Sequence, residues 1–137
     1  MLAIILIAIF LINVTTEDCL KRICKSESGC VPVGCDMDVG SLSRDYYQIK
    51  LDYYEDCGTP GRKKGESVTK AWKRCADNYS CSTKCVKAYY KRYKGLCPSS
   101  QGACQKMAQL HNGGSSGCKI MATVGYWKGV KKCCTCK

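Results

Sequence analysis

Fourteen of the 137 residues are cysteine, and that density limits the fold more than any other feature of the chain. So many cysteines in a short chain signal a disulfide scaffold built in an oxidising compartment. Zinc is the competing use of cysteine, and CCTC at 133–136 is its best candidate. That run lacks a second Cys-x-x-Cys or neighbouring histidines, so no metal and no cofactor is expected.

The first sixteen residues, MLAIILIAIFLINVTT, carry no charge. The apolar run is short for a bilayer span and sits at the N-terminus, which reads as a secretory signal over 1–16 rather than stable membrane insertion. One domain, 17–137, then remains, and all fourteen cysteines fall within it. The expected location is extracellular.

Net charge is +11, with lysines and arginines spread through 62–74, 84–94 and 119–137. Such a surface attracts polyanions, including bacterial envelopes and acidic lipids. Secretion and the lack of any nucleic-acid motif exclude nucleic acid as the expected partner.

Periodicity predicts a mainly α-helical α+β domain. Thr16 is placed to cap a first helix with Glu17 and Asp18 in its first turn, Leu20, Ile23 and Cys24 as its inner stripe, and Gly29 as its stop. In YYQIKLDY, 46–53, the alternation of Tyr47, Ile49, Leu51 and Tyr53 predicts a half-buried strand. GTPGRKKG, 58–65, reads as a basic loop. Helices are expected over Val68–Ala76, from Ser80 to about Lys94, through Cys104, Met107, Ala108 and His111 up to Asn112-Gly113-Gly114, and over Tyr126–Lys132. Asn78-Tyr79-Ser80 is a glycosylation sequon.

The stretch SESGCVPVGCDMDVGS, 26–41, sets carboxylates on both sides of a cysteine-bounded turn. Glu27 falls in the last turn of the first helix, at the negative end of its dipole, where a protonated acid sits better than a carboxylate. Asp38 follows eleven residues later. One protonated and one ionised acid is what glycoside hydrolysis requires: the first protonates the leaving oxygen, the second stabilises or attacks the anomeric carbon. Spacing alone favours two surface carboxylates in a turn over a catalytic pair.

From Cys19 to Cys133 the chain resembles the invertebrate-type (destabilase) lysozymes. The resemblance is carried by ICKSESGC, GCDMDVGSLS, YYQIK, DCGTPG, CADNYSC, CVKAYYKRY, LHNGG with GCK, and VGYWKGVKKC, in the family's order. It implies a lysozyme-like, mostly helical, disulfide-rich fold with a small β-sheet walling a cleft. It also implies a muramidase, cutting β-1,4 links between N-acetylmuramic acid and N-acetylglucosamine in bacterial peptidoglycan. Glu27 matches the family's proton donor and Asp38 its nucleophile or charge stabiliser, while Asp36 matches a variable position. Lys50, Tyr53, Tyr54, Tyr93, His111, Asn112 and Gly113 match segments that contact the sugar chain. Tyrosines stack on sugar faces, and amides and glycine backbone bond N-acetyl groups. Some family members are credited with isopeptidase activity, and Ser41, Lys50 and His111 match the positions implicated. A serine there would need a base within hydrogen-bond reach.

By the same resemblance five bridges keep both partners: Cys19–Cys104, Cys24–Cys30, Cys57–Cys85, Cys75–Cys81 and Cys97–Cys118. The family pattern also pairs position 22 with Cys133 and position 44 with Cys35, yet both partners here are arginines. Cys35, Cys133, Cys134 and Cys136 are left, and a bridge from Cys35 to the C-terminal tail is the expected compensation. Three functions compete: a secreted muramidase of antibacterial defence or digestion, a non-enzymatic cationic binder of anionic cell envelopes, and an isopeptidase.

Overall fold

The structure, a computed structural model, describes residues 15–38 and 40–133, and for Asp36 and Asp38 the backbone only. The leader expected over 1–16 lies almost wholly outside the described residues, as do Cys134 and Cys136. Helix α1 runs Thr16–Ser28. Its cap is Thr15, one residue before the expected Thr16, whose hydroxyl accepts the Asp18 N–H at 3.1 Å. Gly29 ends it at φ +70°, a left-handed position that costs glycine little, and donates its N–H to the Cys24 and Lys25 carbonyls. Cys19, Leu20, Ile23 and Cys24 form its buried stripe.

A two-stranded antiparallel hairpin follows, β1 Cys35–Asp38 and β2 Ser41–Arg44, with Asp38 opposite Ser41 and Cys35 opposite Arg44. The strand expected over 46–53 does not form. Asp45 (φ +52°) and Gln48 (φ +50°) take left-handed backbone, which breaks extension on both sides of a single 3₁₀ turn, Asp45–Tyr47. Tyr47 and Ile49 do point inward, as their alternation implied, and the Ile49 carbonyl accepts the Trp72 indole N–H at 2.9 Å. From Leu51 onward the period becomes helical, and α2 covers Leu51–Asp56 with Tyr54 buried.

The remaining helices fall close to expectation: α3 Val68–Ala76, α4 Tyr79–Tyr93, α5 Ala103–Gly113 and α6 Ala122–Lys132. Ser67 and Asn78 cap α3 and α4 through their side chains. The core gathers Leu20, Ile23, Tyr47, Ile49, Tyr54, Trp72, Val86, Leu110 and Val130. A 3₁₀ segment, Gly114–Lys119, joins α5 to α6. Gly117 lies so close to α5 that an added Cβ would sit 1.9 Å from the Gln109 carbonyl oxygen. That approach lets the Gln109 amide donate to Thr123 Oγ1 at 2.8 Å, which ties α5 to α6. Among the described residues no helix is long and apolar enough to cross a membrane.

All five bridges implied by the resemblance are formed. Among the described residues the expected tail bridge does not form, since Cys35 and Cys133 are free thiols; its other candidate partners, Cys134 and Cys136, lie outside them. Arginine takes over at both altered positions. Arg22 Nη1 donates to the Lys131 carbonyl in the last turn of α6 at 3.4 Å. Arg44 meets the Cys35 sulfur and grips Asp77 with two bonds, Nε–Oδ1 at 2.6 Å and Nη2–Oδ2 at 2.8 Å. Asp77 caps the C-terminus of α3, so this fork anchors the hairpin to the helical body.

The fork carries a pH signature. Arg44 holds the Asp77 carboxyl below the ordinary carboxylate range, so Asp77 adds stability above about pH 4 that fades as pH falls through its depressed value. Asp45 behaves in the opposite sense, because burial and then Asp77 push it up. Ionising Asp45 costs stability as pH rises, and Arg44 offsets that cost. Arg44→Ala should therefore destabilise the fold by about 1 kcal/mol at pH 7, a value kept low because Arg44 and Asp77 are partly exposed. The gap between wild type and variant in urea unfolding should narrow as pH falls through the depressed Asp77 value; a gap that grows as the pH is lowered would refute the clamp.

Candidate active site

Glu27 occupies the final turn of α1, between Cys24 and Cys30, whose bridge pins the turn that follows. Its side chain is 18% exposed, enough to reach a cleft while most of its surface is withdrawn from water. The Tyr126 hydroxyl on α6 donates to Glu27 Oε1 at 2.6 Å. Burial, then the charge of Glu27, push the Tyr126 phenol far above its ordinary value, so it remains a donor at any physiological pH. Among the described residues, Oε2 takes no hydrogen bond and is the oxygen that remains for a substrate.

His111, near the end of α5, completes the setting. Its Nε2 lies 2.9 Å from the Tyr47 carbonyl and 3.4 Å from Glu27 Oε1, and its Nδ1 lies 3.1 Å from the Tyr53 hydroxyl. A carbonyl only accepts, so the network assigns the proton to Nε2, and Nδ1 then accepts from Tyr53. Both ring nitrogens are thereby engaged with Tyr47 and Tyr53, and the imidazole lies beside Glu27.

The cleft, about 260 Å³, opens beside these groups. Tyr53 and Tyr89 stack on each other at 3.9 Å between centroids and 9° between planes, and both border the cleft. Burial, then the Asp56 charge, push the Tyr89 phenol up to about 12. Gln48 and Asn112 supply amides, Gly114 backbone, Lys50 a cation, and Asp52 and Asp56 carboxylates. Such a lining suits a hydroxyl- and amide-rich polymer: aromatic surface at the wall, with hydrogen-bonding groups around it.

The expected site residues divide into those lining the cleft and those outside it. Glu27, Lys50, Tyr53, His111 and Asn112 line it together. Tyr54 does not; it is 1% exposed, with its hydroxyl on the Pro60 carbonyl. Tyr93 sits behind Tyr89 and donates to Asp56 at 3.0 Å, and Gly113 packs toward Thr123 with Gly114 in the lining. Asp38 lies on β1 opposite Ser41. Ser41 lines a second, neighbouring groove together with Lys50, away from His111. Tyr126 and Tyr89 were not expected, whereas Gln48 falls within the stretch whose resemblance implies sugar contact. Tyr126 falls within VGYWKGVKKC, one of the segments carrying the resemblance, but nothing local marked it as a partner of Glu27.

Removing the Tyr126 hydroxyl tests its part. Tyr126→Phe should lower kcat about tenfold, the scale of one hydrogen bond to a charged group, with KM within about twofold because the tyrosine does not line the cleft. Steady-state kinetics beside a thermal melt would check this; a wild-type kcat would show that Glu27 is held without it.

The destabilase family model matches residues 16–133. "Invertebrate-type lysozyme 3" of Caenorhabditis elegans is 62% identical over 122 residues, covering 88% of each chain. "Invertebrate-type lysozyme 2" of the same organism is 58% identical over 135 residues, covering 98% of this chain and 96% of that one. Among solved structures, the Tapes japonica lysozyme superposes with a TM-score of 0.75 at 44% identity, over 89% of this chain and 93% of the other. A match from α1 to the end of α6, with relatives of such identity and coverage, shows that the chain belongs to the destabilase family, the invertebrate-type lysozymes.

Proposed function

We propose that this protein is a secreted muramidase, a glycoside hydrolase that cuts the β-1,4 bond between N-acetylmuramic acid and N-acetylglucosamine in bacterial peptidoglycan. The observation that carries the reading is Glu27: a mostly buried carboxyl at the lip of an aromatic and amide-lined cleft, fixed through one oxygen by Tyr126. In this mechanism Glu27 protonates the leaving oxygen, and Asp38 attacks or stabilises the anomeric carbon. Tyr53, Tyr89, Asn112 and Gly114 bind the sugars, Tyr126 positions Glu27, and His111 fixes the cleft wall beside it. The apolar N-terminal run and the five bridges support secretion. An isopeptidase reading has less support, because His111 is committed to Tyr47 and Tyr53 and lines a different depression from Ser41.

Purified peptidoglycan provides the test. The expected products are soluble muropeptides with new reducing-end N-acetylmuramic acid, identified by borohydride reduction and mass spectrometry. Because the net charge is +11, lysis of whole walls should slow severalfold between about 0.1 and 0.5 M salt, as the screening length shrinks below about 10 Å. Cleavage of a short uncharged chitin oligomer should respond far less. New ends on peptide bonds, with none on sugars, would overturn the muramidase reading; equal salt sensitivity would overturn wall-charge steering.

A further inference from the structure

Helix α2 is a partition. Its Asp52, Tyr53 and Asp56 face the cleft, whereas Leu51 and Glu55, one turn apart, face a second groove of about 500 Å³. Lys50 and Asp52 line both depressions, so the two adjoin at the N-terminal end of α2. The second groove differs in character. Leu42, Leu51 and Trp72 give it an apolar floor, and Lys73 and Glu55 set opposite charges at its rim. Leu42 on β2 is 45% exposed, a large apolar side chain held open to water at the groove wall.

We infer that this groove binds the stem peptide of peptidoglycan, the short peptide that branches from the lactyl group of N-acetylmuramic acid. The inference rests on the muramidase reading, which lays the sugar strand in the adjoining cleft. A substituent leaving that strand across α2 enters the groove directly. The stem's chemistry matches the lining: alanine methyl groups for Leu42 and Leu51, glutamyl and terminal carboxylates for Lys73 and Lys50, and the diamino acid's amine for Glu55 and Asp52. A plain sugar chain, dense in hydroxyls, offers the apolar floor of Leu42, Leu51 and Trp72 little. The groove therefore makes the enzyme selective for walls whose stems are intact.

Two measurements test it. First, the tetrapeptide L-Ala-γ-D-Glu-L-Lys-D-Ala is titrated into the wild type, followed by NMR shifts; resonances of Leu42, Thr69 and Lys73 should move. Thr69→Trp, which fills the groove from α3, and Lys73→Glu, which reverses its rim charge, should each weaken binding at least tenfold. Second, kcat/KM is compared on glycan strands with stems and on the same strands stripped by an amidase cutting the muramoyl–alanine bond. The wild type should favour stem-bearing strands about tenfold, and both variants should cut that ratio to about twofold or less. No shifts at the groove, or a ratio near one in the wild type, would overturn the inference while leaving the muramidase reading intact. Peptide binding at the groove without hydrolysis of either strand would instead overturn the muramidase reading and keep the groove as a peptide site.

Discussion

Glu27→Gln should lower hydrolysis of purified peptidoglycan by a factor of at least about 100, the usual contribution of a positioned general acid. The substitution keeps the shape of the side chain and leaves a carbonyl oxygen that still accepts from Tyr126. What disappears is the transferable proton. Asp38→Asn should be about as damaging, because the developing oxocarbenium charge then loses its carboxylate. The two variants should melt close to the wild type, since Glu27 lies at the end of α1 beyond its buried stripe and Asp38 is paired through its backbone in the hairpin. Turbidity loss of a cell-wall suspension, read beside thermal melts, would decide the matter. Wild-type lysis by both variants would remove the muramidase assignment. Killing of live bacteria that survives Glu27→Gln and vanishes with salt would favour the cationic binder, whose action needs only the +11 charge.

Expectation and structure agree where the determinant is local. The stripe of α1, its stop at Gly29 and the span of α3 follow from side-chain period and capping chemistry within a few residues. Agreement fails at 46–53 for a physical reason. Tyr47 and Ile49 are both buried, as a strand would have them, but the inward pointing comes from a 3₁₀ turn flanked by left-handed Asp45 and Gln48. Alternation cannot distinguish those two geometries, and nothing in the residue names signals a left-handed aspartate. The Glu27–Tyr126 pair spans 99 positions, beyond the reach of any local pattern. Arg44 shows a third kind of limit. Losing a cysteine partner suggested another bridge for Cys35, whereas the fold placed an aspartate at the end of α3 where a guanidinium could grip it. An ion pair requires no second cysteine and leaves no trace in cysteine arithmetic.

Removing the Cys19–Cys104 bridge should have the largest effect on stability. The bridge closes a separation of 85 residues, and chain entropy assigns such a loop about 4–5 kcal/mol, against about 2 kcal/mol for the six-residue separation of Cys24–Cys30. Its position matters as much as its length. Cys19 lies at the start of α1 and Cys104 at the start of α5, while Glu27 and His111, about two turns further along the same helices, approach to 3.4 Å. One end of this helix pair is covalent and the other holds the proposed acid. Cys19→Ala with Cys104→Ala should therefore lower the melting temperature by roughly 10–20 °C, several degrees more than Cys24→Ala with Cys30→Ala. Below the lowered melt the first variant should retain hydrolysis, because Tyr126 and the Cys24–Cys30 turn still hold Glu27; on approach to it, activity and helicity should fall together. A Cys19–Cys104 variant that melts no lower than the Cys24–Cys30 variant would show that the long loop is already closed in the unfolded chain by the remaining bridges, and that the core alone keeps α1 against α5.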